Sequence, residues 1–203
     1  MALATYTDLQ ASVASWLSRA DLTDQIPDFI ALAESAIGTD VRLRDQLTVT
    51  TLATVASQEY VALPTDWLEF KYIKHAGTAL TYLPPDRIRG QNEAPGYYSS
   101  AQMMNYSIEG SRLLLSPAPA AVITLDVSYY AKLPALSATP TNYLLTKYPQ
   151  IYLYKALANA SRFLMDDQRA MYWDSQYEAE VQKAHGADLR ALSSGSPLTV
   201  RKR

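Results

Sequence analysis

Cysteine is absent from this chain of 203 residues, and histidine occurs only as His75 and His185. Without cysteine there is no disulfide framework, no thiolate nucleophile and no thiolate metal site. The two histidines lie far apart in the chain, and neither stands in an H-E-x-x-H spacing that would hold zinc. Each reads as a surface histidine. Glycine is scarce at 7 residues, and none of them builds a G-x-x-x-x-G-K-[ST] or G-x-G-x-x-G phosphate loop. No G-x-S-x-G nucleophile elbow is present. No cofactor is therefore implied, and no catalytic residue can be nominated. Asp166 and Asp167 form an acidic pair, but they read as a helix N-cap with favourable dipole charge. Runs of about 18 apolar residues are also missing, so no membrane span is expected. The opening "MALATYTDLQ" lacks the basic and apolar segments of a signal peptide. A soluble product, made in the cytoplasm, is the expectation.

Charge is scarce too. Charged residues make up 19%, against about 25% in an average domain. The net charge of −2 gives no general attraction for nucleic acid. "RIRG" and "VRKR" are short basic stretches that read as solvated charge. Tyrosine, by contrast, is abundant at 15 residues. Few charges with many amphipathic rings suit either a tyrosine-rich core or a large protein interface.

The pattern along the chain predicts helices, then strands, then helices. Thr7 opens a T-x-x-Q capping pattern, and Leu9, Val13, Trp16 and Leu17 share one helical face. Thr23 or Asp24 then caps a second helix with Pro27 in its first turn and Ile30, Ala33, Ile37 and Val41 as its apolar stripe. Strand patterns follow at 47–55, 59–63 and around "LEFKY", where Leu68, Phe70 and Tyr72 alternate with Glu69 and Lys71. "MNYSI" alternates Met104, Tyr106 and Ile108 against Asn105 and Ser107. "ITLDVSYY" alternates Ile123, Leu125, Val127 and Tyr129 against Thr124, Asp126 and Ser128. Such alternation predicts an antiparallel sheet with one wet face. Residues 84–102 read as a long loop with one helical turn at "DRIRG". Two closing helices are expected at about 142–165 and 168–187, the last showing Ala170, Trp173, Tyr177, Val181 and Ala184 on its apolar face. The fold class is α+β in one domain spanning 1–185. Gly186 ends the last helix in this reading, and 186–203 forms an extended arm.

The stretch "KYPQIYLYKALANASRFLMDD" carries two adjacent apolar stripes on a helix. Leu153, Leu157, Ala160 and Leu164 make one; Tyr148, Tyr152, Ala156 and Phe163 make the other. A helix apolar over so much of its girth is buried on more than one side. It reads as a packing spine, with one side on its own sheet and the other for the last helix or a neighbouring subunit. Tyr148, Tyr152, Ala156, Ala160, Phe163, Trp173 and Tyr177 are thus the candidate subunit interface. In the tail, Leu198 and Val200 can add a strand or fill a groove, while Arg201, Lys202 and Arg203 can pair with acidic groups. A solvated terminus is the other reading of the same segment.

These residues also carry a resemblance. "LDVSYYAKLPALSATPTNYLL" with "PQIYLYKAL", together with "TYTDLQASVASWLSRADL", "YVALPTDWLEFKYI" and "LTYLPPDRI", resembles the head–tail adaptor (connector) proteins of tailed bacteriophages, especially short-tailed ones. The likeness runs over about residues 5–183. It implies a homo-oligomeric ring of twelve copies under the portal protein, bearing the tail tube or nozzle. The lumen would pass double-stranded DNA without sequence specificity. It further implies a structural protein of the virion neck with no catalytic residues to carry over. The tail from 186 lies outside the likeness, and the portal as partner of the C-terminal arm is an expectation from the tail residues themselves. The alternatives are another neck or tail ring, such as a terminator or tail tube protein, or a non-catalytic carbohydrate- or peptide-binding module using the tyrosines of "GYYSS".

Overall fold

Thr5, not Thr7, starts the first helix: its hydroxyl accepts from the Asp8 backbone N–H, and the Asp8 carboxylate accepts from the Thr5 N–H. The capping box is therefore "TYTD", two residues earlier than the pattern predicts. The computed structural model describes residues 3–19, 21–93 and 105–194. It is α+β, with six helices and two four-stranded sheets among the described residues. The chain divides into two compact units, one from 1–45 and 133–203, the other from 46–132.

The first unit is helical: α1 (Tyr6–Leu17), α2 (Ile26–Asp40), α4 (Tyr143–Lys147), α5 (Pro149–Phe163) and α6 (Asp167–Ser193). Gln25, rather than Thr23 or Asp24, is the N-cap of α2, and proline occupies the first turn as the sequence implies. The helix predicted over 142–165 is two helices. Pro149 has no N–H and disfavours helical backbone in the residue before it, and Tyr148 sits at φ −136° and ψ 60°. The last helix is longer than predicted: α6 passes through Gly186 and ends at Ser193. A glycine inside a helix costs only about 1 kcal/mol, and the "ADLRAL" that follows it is rich in good helix formers. The arm predicted from 186 therefore begins, among the described residues, as helix; 195–203 lie outside them.

Around α5 the unit builds one core. Leu9, Val13, Ile30, Ala33 and Ile37 from α1 and α2 meet Ile151, Tyr152, Ala156 and Ala160 of α5 and Tyr177, Val181 and Ala184 of α6. The spine is thus surrounded by helices, so its surplus apolar face is satisfied within its own unit. Buried polar atoms fix its ends. The Asn142 amide donates to the Tyr152 hydroxyl at 2.8 Å, while its carbonyl oxygen caps α4 by accepting from the Leu145 N–H.

The second unit holds the strands. One sheet runs β1 (Leu47–Ala53), β8 (Thr124–Ala131), β3 (Trp67–His75), β4 (Thr78–Ala79). The other runs β2 (Tyr60–Ala62), β7 (Arg112–Ser116), β6 (Asn105–Glu109), β5 (Thr81–Tyr82). So the single antiparallel sheet of the sequence reading is two sheets, and β5 pairs with β6 in parallel. Ile73, Leu113, Leu115, Leu125, Val127 and Tyr129 form the core between them. β8 alternates as predicted from Thr124 to Val127, but Ser128, expected on the wet face, is buried. β3 does not hold its phase: register shifts between Trp67 and Glu69 and between Phe70 and Tyr72 turn Ile73 inward and leave Tyr72 exposed. An extra residue in one strand inverts the faces beyond it.

The segment read as a loop at 84–102 contains the nine-residue helix α3 (Pro85–Glu93). Its Ile88 and Asn92 are buried. The Asn92 amide donates to the Leu115 carbonyl at 3.1 Å and to the Glu59 carboxylate at 3.0 Å. The helix thereby covers the β6–β7 face that carries Ser107 and Leu114, which is why that face is dry although Ser107 is polar.

Candidate assembly surface

Of the seven residues nominated for a subunit interface, the structure buries four in the helical unit's own core. Tyr152, Ala156, Ala160 and Tyr177 are essentially inaccessible. Phe163 is exposed, and Tyr148 and Trp173 are partly so. Sequence periodicity finds the apolar stripes but cannot tell which stripe a neighbouring helix has already covered.

In the helical unit, aromatic rings from three separate helices gather into one partly open cluster. Trp16 of α1 is 49% exposed. It lies edge-on to Trp173 of α6 at 5.5 Å and 6.3 Å from Tyr154 of α5. Tyr154 stacks on Trp173 at 5.6 Å, and Tyr172, 57% exposed, meets Trp173 edge-on at 4.9 Å. Stacked and edge-on rings at such distances attract through their quadrupoles, so the shelf holds its shape while one face stays open. The signal available in the sequence was the "MYWDSQY" run, whose Tyr172 and Trp173 fall on different sides of the helix.

The α5–α6 turn adds a second group. Phe163, 56% exposed, packs at 5.4 Å on the Phe29 ring, and Met165, at φ 56°, is 91% exposed. Leu32 and Met171 also stand open. Beneath this rim the charges are neutralised locally. Asp174 accepts from Lys155 at 3.1 Å and from Arg162, so both cations are held against α6. Lys155 also lies 4.7 Å from the centre of the Tyr177 ring. Local pairing ties down Lys155, Arg162 and Asp174, while Asp167 and Arg169 remain exposed beside Met165.

Among the described residues, the titratable side chains gather into no comparable cluster. His75 lies 3.3 Å from the Thr124 carbonyl oxygen. His185 shares an open hollow of about 400 Å³ with Asp40, Lys155, Tyr177 and Glu178, but Asp40 already accepts the Tyr177 hydroxyl and Lys155 is committed to Asp174. No group of three metal-ligating side chains occurs among the described residues. No helix of the described residues is long and apolar enough to cross a membrane. The tyrosines of "GYYSS" and the arm residues Leu198, Val200, Arg201, Lys202 and Arg203 lie outside the described residues.

A family model described as SU10 adaptor protein matches residues 4–201. No curated protein matches the chain.

Proposed function

Because the chain belongs to the SU10 adaptor protein family, whose members are structural head–tail adaptors of phages, we propose that copies of it form a ring beneath the portal protein. In this reading the ring is a dodecamer of the short-tailed type. It joins head to tail in the virion neck, and its lumen is part of the DNA exit channel. The protein works by assembly and performs no catalysis.

One observation carries the reading: the helical unit, with a complete core of its own, still exposes Trp16, Phe163, Met165, Met171 and Tyr172. A cluster of partly open rings such as Trp16, Tyr154, Trp173 and Tyr172 supports a surface that a partner covers. Aromatic residues and methionine with few charges are the composition of an interface centre. The mild net negative charge also suits a channel wall, since a surface that gripped phosphates would retard DNA passage.

Electron microscopy of the purified chain with and without its cognate portal tests this. Rings that stack coaxially on the portal are expected. A stable monomer that never binds the portal would overturn the proposal.

A further inference from the structure

The sandwich of the strand-bearing unit is open along one side, where β1 and β2 are the edge strands of their sheets. β1 is the long edge: seven residues, "LTVTTLA", paired with β8 in unbroken register. The other edges, β2, β4 and β5, have three or two residues. Natural sheets usually protect a long, flat edge with charge, proline or a bulge. β1 has none of these. Beside it lies a groove of about 430 Å³ whose lining includes Leu52, Ala53, Val55, Tyr60 and Val61. An unprotected edge next to an apolar groove fits one kind of occupant: an extended strand with apolar residues at alternate positions.

We propose that this groove receives the C-terminal segment of a second copy of the chain, Leu198-Thr199-Val200-Arg201, as an added strand antiparallel to β1. The segment repeats the tripeptide Leu-Thr-Val of 47–49, which the chain already builds as strand. Pro197 precedes it, a position where a strand tolerates proline. Alternation turns Leu198 and Val200 to one face and Thr199 and Arg201 to the other. A single register satisfies both faces. With Val200 opposite Leu52, the two apolar side chains enter the groove, and Arg201 falls opposite Thr51. Thr51 is paired with Asp126 in the next strand. Asp126 is exposed and has no ion-pair partner among the described residues. Arg201 reaches it over the short threonine side chain.

When each copy gives its tail to one neighbour and accepts a tail from another, the contact is heterologous, the kind that closes into rings; reciprocal exchange between two copies would close a dimer instead. The inference rests on the ring reading only in taking a second copy, rather than the portal, as donor.

The receptor for the test is the full chain carrying Leu198→Asp and Val200→Asp, which cannot fill its own or a neighbour's groove. The probe is a fluorescent peptide of residues 194–203. Saturable binding is expected, weakened at least about tenfold when the peptide carries the same two substitutions. Arg201→Glu in the peptide should weaken binding, and Asp126→Lys in the receptor should restore it. A photocrosslinker replacing Val55 in the otherwise unaltered chain should capture residues 198–200 of a differently tagged copy. Absence of binding, equal binding of the altered peptide, no rescue by the charge swap, or crosslinks confined to one copy would each overturn the proposal. Peptide binding is read on the isolated chain, so a failure of ring formation on the portal would sink the assembly reading and leave this one standing.

Discussion

The Tyr177 hydroxyl of α6 donates to the Asp40 carboxylate at the end of α2, 2.8 Å away, through the only polar atom of an otherwise buried ring. The bond fastens the last helix to the helix pair that begins the chain. Burial first, and the bond to Asp40 second, push the Tyr177 hydroxyl well above its ordinary pKa. Tyr177→Phe keeps the packed ring and removes the bond. It should cost about 1–2 kcal/mol, seen as a lower urea midpoint with an unchanged slope. Tyr177→Ala, which also empties the core beside Lys155, should cost about 3–5 kcal/mol. Equal losses for the two variants would show that the hydroxyl, not the ring, carries the contact.

Alkaline pH should unfold the helical unit through its tyrosines. Burial raises Tyr143 and Tyr177, and pushes Tyr152 up to about 12 against an ordinary 10.0. Above pH 10 the unfolded chain releases these protons while the folded chain retains them. The folded state then binds more protons, and its stability falls as pH rises. Each tyrosine contributes about 1.4 kcal/mol of loss per pH unit between 10 and its folded value. Stability measured by denaturant at pH 8 to 9.5 should be flat with respect to these groups, and should drop steeply from 10 to 12. Tyr152→Phe should flatten part of that drop. A fall of the same steepness in Tyr152→Phe would remove Tyr152 from the account.

Much of this architecture is legible in the sequence, because local periodicity decides it. The alternation of Leu125, Val127 and Tyr129 is realised in β8, and the stripe Ile30, Ala33 and Ile37 is buried along α2. What escaped is non-local or competitive. The phase slip in β3 comes from a bulge set by pairing with β8, and period-two reading passes straight through it. Gly186 looks like a stop, but helix-forming neighbours on both sides outweigh one glycine. Which stripe residues stay open was harder still to read. Tyr152 and Trp173 look alike on a helical wheel, and only the packing of α1, α2 and α6 around α5 hides the first and leaves the second partly open. Trp16 falls on the apolar stripe of the first helix, yet it is half exposed and lies edge-on to the partly buried Trp173.

The rim around the α5–α6 turn should separate folding from assembly. Met165 and Met171 are open to solvent, so Met165→Asp and Met171→Asp should change stability by no more than about 0.5 kcal/mol. Each places a charge at the centre of a surface proposed to be desolvated on assembly, where an unpaired charge is expensive. Rings counted by electron microscopy should become rare in the double variant while its melting temperature stays at the parent value. Unimpaired rings would move the interface elsewhere on the molecule.

The last prediction concerns the buried amide that holds α3 on the second sheet. Asn92 gives both hydrogens of its amide, one to the Leu115 carbonyl and one to the Glu59 carboxylate. Both partners are acceptors, so the site requires a donor. Asn92→Leu keeps the bulk but leaves the Leu115 carbonyl without this donor, which should cost about 1–3 kcal/mol. Asn92→Asp is nearly isosteric yet offers only acceptors when ionised, and sets a second carboxylate against Glu59 and a carbonyl dipole. It should be the worse of the two at neutral pH, and should recover as pH falls and the new carboxyl takes up a proton and regains a donor. Hydrogen exchange of the amides in 85–93 reads the attachment directly: protection should be lost in the order parent, Asn92→Leu, Asn92→Asp at pH 7. If Asn92→Asp protects α3 as well as the parent does at that pH, the donor requirement inferred from the two acceptors is wrong, and Ile88 with the Arg89–Glu109 and Gln91 contacts is enough to hold the helix.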